Sequence, residues 1–231
     1  MTEDKTAIRN AATVIVVRDR ATTPRVLMGQ RGSNAVFMPN KFVFPGGAVD
    51  AGDADIPLAQ MINEPCLSRL AEMSDPSLTH SICVAAIREL YEETGQILGV
   101  KGKWTGVLPK DWEAFSQAGF LPDASGMQYV FRAITPPGRP RRFDARFFFV
   151  DAQLLESDLD DFSAASEELC HLQWIPLDQV RQYDLPFITE IVLAEIGARV
   201  NNNTPPISVP FFKNDDGDNA FLRLRGYKMP L

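Results

Sequence analysis

Ala85-Ala86-Ile87-Arg88-Glu89-Leu90-Tyr91-Glu92-Glu93-Thr94-Gly95, read with the upstream Phe44-Pro45-Gly46-Gly47, decides how this chain is understood. No proline interrupts the longer segment, and Gly95 suits the left-handed stop of a helix, so a helix is expected up to that glycine. At about 100° per residue, Glu89, Glu92 and Glu93 stand at i, i+3 and i+4 and share one arc. Val84, Ile87, Tyr91 and Thr94 gather on the other side, while Ala85 and Ala86 leave room beside the carboxylates. Three anions this close repel one another. Arg88, at i,i+4 to Glu92, offsets part of that repulsion, and a hard divalent cation with oxygen ligands would resolve the rest. The segment is therefore a candidate Mg²⁺ site, and a solvated amphipathic helix is the plainer alternative.

Outward from this stretch, residues 41–44 read as a short strand stopped by Pro45, after which Gly46 and Gly47 let backbone carbonyls approach whatever the acidic helix binds. Residues 11–17 are a β-branched run and read as a buried strand. Thr22-Thr23-Pro24 turns the chain into a second strand, residues 25–31, its expected hairpin partner. Residues 54 to about 80 carry Pro57, Pro65 and Pro76 and are expected to form a helical insertion of one or two short helices. Residues 111–119 read as a further helix with an acidic N-cap, 127–135 and 142–150 as strands, 172–176 as another strand, and 186–200 as an amphipathic helix. From Asn201 to Leu231, Asn, Pro, Asp and Gly dominate, and an irregular tail is expected. Pattern alone gives α/β or α+β, and strands interspersed with two long helices suggest an α/β/α sandwich around a mixed sheet.

The 231 residues suffice for one good core, and 45% hydrophobic with 23% charged content is ordinary for a soluble globular protein. A net charge of −7, with no dense basic stripe, argues against nucleic acid as a partner. Arg139-Pro140-Arg141-Arg142 is too short for such a footprint, although it suits a single phosphorylated ligand. Cys66, Cys83 and Cys170 are scattered without Cys-x-x-Cys spacing, so neither a zinc site nor a disulfide framework is expected. Met1-Thr2-Glu3-Asp4-Lys5 is polar with no apolar stretch behind it, no run approaches the roughly 20 apolar residues of a spanning helix, and Lys228-Met229-Pro230-Leu231 is not a Ser-Lys-Leu address. A cytoplasmic chain without a membrane partner is expected.

Taken together, Gly47, Asp53 and the Arg88–Gly95 segment resemble the Nudix box: Gly, five residues, Glu, seven residues, then Arg-Glu-apolar-x-Glu-Glu-x-Gly-apolar. This chain departs from the box in three places. Asp53 stands at the first glutamate position, residues 54–87 fill the space where the box has seven, and Gln96 replaces the final apolar residue, with Ile97 following. The resemblance implies a Nudix-type α/β/α sandwich. It also implies a hydrolase that uses Mg²⁺ or Mn²⁺ to cleave a diphosphate linkage in a small nucleoside-diphosphate substrate. By the same resemblance Glu92 and Glu93 would bind metal, Glu89 would bind metal or help activate water, Arg88 would orient the glutamates, and Gly47 would lend a carbonyl. Asp53 is one methylene shorter than the glutamate expected there, and its reach is left open. A general base often lies outside the box in this superfamily, and Glu168, six positions before Trp174, has the matching spacing; a loop or capping carboxylate is the alternative. His171 reads as a solvent-facing strand residue or a satisfied core imidazole, His80 as a capping-region residue. Arg31, at the end of the second strand, is a candidate phosphate ligand or else a surface arginine.

Phe-Pro-Gly-Gly, the long insertion within the box, and Thr135-Pro136 followed by Arg142-Phe143-Asp144-x-Arg146-Phe147-Phe148 are similar to the coenzyme A diphosphatase branch. That likeness makes coenzyme A or acyl-CoA the first candidate substrate, with Arg142 and Arg146 joining Arg31 at its phosphates and the insertion supplying an apolar groove for the pantetheine arm. ADP-ribose, a dinucleotide or a nucleotide sugar is the alternative within enzymes, and a non-catalytic Nudix-fold ligand-binding module is the alternative of another class. The chain is read as a single domain, 1–231, with its core over about 11–200. A homodimer is left open.

Overall fold

The computed structural model describes residues 7–106, 108–215 and 218–226. The polar start at Met1–Lys5 and the terminal Lys228-Met229-Pro230-Leu231 lie outside the described residues. In chain order the elements are β1 (Ile8–Arg18), β2 (Arg25–Arg31), β3 (Phe42–Val43), β4 (Gly46–Ala48), α1 (Cys66–Ala71), α2 (Leu78–Thr94), β5 (Gly99–Lys101), α3 (Glu113–Gln117), β6 (Phe120–Pro122), β7 (Gln128–Ile134), β8 (Arg142–Asp151), β9 (Leu169–Pro176), α4 (Phe187–Arg199), β10 (Val209–Asp215) and β11 (Asp218–Leu224). Among the described residues a nine-stranded mixed sheet runs β11-β10-β7-β8-β1-β2-β3, with β4 also on β1 and β9 also on β2, while β5 and β6 pair separately. β8 lies parallel to β1 and β10 parallel to β7; the other pairings are antiparallel.

Alternation along the strands sends side chains to two faces. Val14, Val16, Phe148 and Val150 pack into one core with Ile82, Ala85, Ala86 and Leu90 of α2. Ile15, Val17, Phe147 and Phe149 pack into the other with Val192, Leu193 and Ile196 of α4. The result is the expected α/β/α sandwich. α2 is buried on nearly every side, because Cys66 and Leu70 of α1, with Trp112 and Phe115, cover the face turned away from the sheet. Tyr91 meets Phe115 edge to face at 5.2 Å between ring centroids. The plainer alternative of a solvated amphipathic helix therefore does not describe α2.

The feature that positions the acidic helix is a divergence of β1 from β2. They pair only at Val17↔Val26 and Arg18↔Arg25. Beyond that point β1 takes β4, through Thr13↔Gly46, Ala12↔Gly47 and Ala11↔Ala48, while β2 takes β3 at Gly29↔Val43 and Gln30↔Phe42. Phe44 and Pro45 cross the notch, and the Pro45 carbonyl accepts from the Val14 N–H at 2.8 Å. A residue without an N–H is tolerated there because no ladder bond asks for one. The strand expected over 41–44 is β3, and a second short strand, β4, follows Pro45 on a different partner.

Two expectations are corrected. The tail is not irregular: β10 and β11 form a hairpin whose Val209, Phe211 and Leu224 are buried in the α2-side core. Their period-2 alternation is real but is obscured by the Asn and Asp residues around it. The helix near 111 has no acidic side-chain cap; a 3₁₀ turn, Lys110–Trp112, leads into α3. The segment 54–80, expected to carry one or two short helices, holds one, α1, and after a 3₁₀ turn that ends at Asp55 its other residues are turns and extended chain until α2 begins at Leu78.

That segment is stitched down through backbone atoms. The Arg69 guanidinium donates to the Pro206 and Ile207 carbonyls, and the Glu72 carboxylate accepts from the Arg225 and Gly226 N–H groups at 2.6 and 2.7 Å. Arg132 of β7 donates to the Glu72 and Met73 carbonyls. Among the described residues no helix is long and apolar enough to cross a membrane.

Candidate active site

α2 ends as its sequence requires. Gly95 takes φ 74° and donates its N–H to the Tyr91 carbonyl at 2.7 Å. The last turns of α2 lie directly against β4. The Gly46 N–H donates to Glu93 Oε2 at 2.7 Å, and a side-chain carbon on Gly47 would overlap the Glu89 carboxylate. The split halves of the acidic motif therefore meet in space, and Gly47 is needed for the closeness of the approach.

Arg88 organises the carboxylates. It is 7% exposed. Its Nε and Nη2 grip Asp53 Oδ1 and Oδ2 at 2.9 and 3.1 Å, its Nη1 donates to Glu89 Oε1 at 2.9 Å and Glu92 Oε2 at 3.1 Å, and Nη2 also reaches the Ala48 carbonyl at 2.9 Å. Asp53, 2% exposed, is delivered by a one-turn 3₁₀ helix, Ala51–Asp55, and its Oδ2 accepts from the Asp50 N–H at 2.8 Å. Its shorter side chain does reach the cluster, where it meets Arg88 in a two-bond fork.

The electrostatics are those of crowded, desolvated anions. Burial pushes the Glu93 carboxyl up to about 8; the Gly46 N–H and Arg31 draw it down, and Glu89 and Glu168 push it further up. Burial likewise pushes Glu89 up to about 7, opposed by Arg88 and reinforced by Glu92 and Glu168. Glu92 is raised by burial against the pull of Arg88. Burial works against the charge on Arg88, but the bond to Asp53 and the charges of Glu89, Asp53 and Glu92 outweigh it and hold the guanidinium ionised.

Glu168 and Arg31 come from the paired β2 and β9 segments, where Arg31 is in register with Leu169, next to Glu168 in the chain. The Glu168 charge is felt by both Glu89 and Glu93, and the Arg31 charge by Glu93. The Arg31 Nε is buried without a hydrogen-bond partner among the described residues. Just before Glu168, the Ser166 N–H donates to the Glu92 carbonyl at 2.7 Å and ties that loop to the end of α2.

Arg142 and Arg146 have a different task from the one expected. Arg146, 1% exposed, donates through Nη1 to Asn10 Oδ1 and the Asp144 carbonyl, both at 2.7 Å, and through Nη2 to Ser74 Oγ at 3.0 Å, and pairs with the Asp144 carboxylate. Arg142, 5% exposed, donates to the Thr135 and Asn214 carbonyls. Their guanidinium groups are committed to protein oxygens beneath the insertion and the C-terminal hairpin, so neither offers a free fork to a substrate. Sequence spacing could not reveal this, because the strand period puts Arg142, Asp144 and Arg146 on one face without saying what covers that face. His171 is the solvent-facing alternative, at φ 53° beside an irregularity in the β2–β9 register. His80 lies in the first turn of α2 with its Nε2 2.8 Å from the Ile56 carbonyl.

The donor set suits a hard divalent cation: three carboxylates on one arc, a glycine backbone packed against Glu89, and carboxyl pKa values raised chiefly by burial and further by neighbouring carboxylates. Among the described residues no three acidic, histidine or cysteine side chains converge at ligand spacing, since Arg88 holds Glu89 and Glu92 while Gly46 holds Glu93. A cavity of about 420 Å³ lined by Arg20, Cys66, Met127, Phe149 and Asp151 belongs to another part of the molecule and shares no residue with this cluster.

No protein-family model matches the chain. Over 179 residues it is 31% identical to a Caenorhabditis elegans protein whose name assigns it provisionally as nudix hydrolase 7, covering 72% of this chain and 51% of that protein. The chain thus spans about half the length of the curated relative it matches. Among solved structures, a NUDIX hydrolase from Alicyclobacillus acidocaldarius aligns with TM-score 0.62 and 27% identity over 87% of this chain and 98% of that one. The split acidic motif closed around Arg88, within a sandwich of this topology and beside these relatives, places the chain in the Nudix hydrolase superfamily.

Proposed function

We propose that the chain is a divalent-metal-dependent hydrolase of a diphosphate linkage in a nucleoside-diphosphate derivative. The observation that carries this reading is the meeting of Gly46 and Gly47 with Glu89, Glu92 and Glu93 around Arg88, within reach of the Glu168 and Arg31 charges. Mg²⁺ or Mn²⁺ would be held by Glu89, Glu92, Glu93 and the Gly47 carbonyl, and when bound it would neutralise phosphate charge and lower the pKa of a coordinated water. The chain's own groups do the remainder. Arg88 keeps Glu89 and Glu92 aimed and favours their charged forms against burial, Asp53 keeps Arg88 aimed, Glu168 is the candidate general base, and Arg31 is the candidate phosphate ligand with an unspent buried donor.

Coenzyme A or an acyl-CoA is the first candidate substrate, supported by the long insertion and the 135–148 likeness. Because Arg142 and Arg146 are committed within the protein, the cationic contribution to its phosphates rests on the bound metal and Arg31. A screen of CoA, acyl-CoA, ADP-ribose, dinucleotides and nucleoside triphosphates with Mg²⁺ or Mn²⁺, products identified, tests the proposal. Cleavage of CoA to 3′,5′-ADP and a phosphopantetheine is expected. A kcat/KM at least ~10-fold higher on ADP-ribose or a dinucleotide would move the specificity and keep the chemistry. Binding of these ligands without turnover of any would make the chain a non-catalytic module.

A further inference from the structure

The motif departs from its pattern at Gln96, which stands where the box has an apolar residue and is fully buried. A buried amide is costly unless its donors and acceptor are met. Here the Nε2 donates to the Asp158 carbonyl at 3.0 Å and the Asp161 carbonyl at 3.2 Å, and the Oε1 accepts from Ser157 Oγ at 2.9 Å. Ser157 Oγ in turn accepts from the Ile97 N–H at 3.0 Å. One side chain therefore holds three residues of the loop between β8 and β9 from the inside.

That loop is the one that delivers Glu168. Its Leu159 carbonyl accepts from Trp174 Nε1 at 2.8 Å, its Ala164 lies against Gly95, and its Ser166 bonds to the end of α2. Among the described residues the Glu168 carboxylate accepts no hydrogen bond of its own, so the path of the loop sets where it points. We propose that Gln96 is a positioning residue that fixes residues 156–168 and so holds Glu168 toward Glu89 and Glu93. This rests on the proposed hydrolase activity.

The test is Gln96→Met, which keeps the length and shape of the side chain and deletes its hydrogen bonds. Amide hydrogen exchange over 156–168 is expected to accelerate ~10-fold or more while α2 keeps its protection. Turnover is expected to fall ~10-fold with KM within about twofold of wild type. In a Glu168→Gln background the same change should alter kcat by less than about twofold, because the residue acts through Glu168. Unchanged exchange in 156–168 overturns the proposal, and so does a ~10-fold loss that persists in the Glu168→Gln background. If Gln96→Met does not fold, Gln96→Glu, which keeps an acceptor for Ser157 and loses both donors, carries the same three measurements. An active wild-type enzyme with an additive cycle refutes the positioning role alone, whereas a wild type that turns over no diphosphate refutes the activity and the role together.

Discussion

Arg88 has five N–H donors and the structure directs hydrogen bonds from it to Asp53, Glu89, Glu92 and the Ala48 carbonyl. Removing it strands Asp53 as a buried, unpaired charge. Arg88→Met is therefore expected to destabilise the fold by about 3–5 kcal/mol, read from urea unfolding midpoints; a loss below ~1 kcal/mol would mean the fork does not hold the site. Glu92 is half-buried and faces outward more than its neighbours, so Glu92→Gln should leave the unfolding midpoint in place while kcat falls on the order of 10² or more. Wild-type turnover in that variant would remove Glu92 from the metal site. The acidic trio and Arg88 were legible from helical spacing alone. Asp53 was not, because its reach depends on a 3₁₀ turn that brings its carboxylate to Arg88, and residue spacing does not encode that turn.

At the scale of elements, the wedge of β3 and β4 between β1 and β2 does the positioning, and its two glycines do different work. A methyl group on Gly46 would meet the backbone of Ala12 and Thr13 at 2.5 and 2.7 Å, while one on Gly47 meets only the end of the Glu89 side chain. Gly46→Ala should therefore lower stability well beyond Gly47→Ala, whose main effect is on turnover as Glu89 is pushed from Arg88. Equal thermal midpoints for the two variants would contradict this account of the notch. The strands with β-branched runs were readable from the sequence, as were α2 and α4. β4 was hidden because glycines carry no pattern, and β10 and β11 because Asn and Asp residues surround their alternating apolar side chains.

For the whole molecule, buried Glu93 with half-buried Glu89 and Glu92 beside it concentrates negative charge that Arg88 offsets only in part and that a bound cation should relieve. Adding Mg²⁺ or Mn²⁺ is expected to raise Tm in a concentration-dependent way, by up to about 2.7 kcal/mol of stabilisation at 100 times Kd, and a chelator should reverse it. No shift at millimolar metal would argue against the site. Thiol reactivity offers an independent check of the sandwich. Cys170 is exposed whereas Cys66 and Cys83 are buried, with burial raising both of their pKa values, so native protein should titrate one thiol rapidly and the rest only after unfolding.

The stitching of Glu72 and Arg69 to the C-terminal hairpin also sets an order of events during synthesis. The insertion leaves the ribosome well over a hundred residues ahead of Pro206, Ile207, Arg225 and Gly226, its partners in these bonds. At roughly 5–20 residues per second, it must wait several seconds with a guanidinium and a carboxylate whose partners lie in residues 206–226. The layer over the acidic helix is thus sealed only once that hairpin has been made. A nascent chain halted at residue 200 should remain open to protease within 56–77, and release of the final hairpin should close that window.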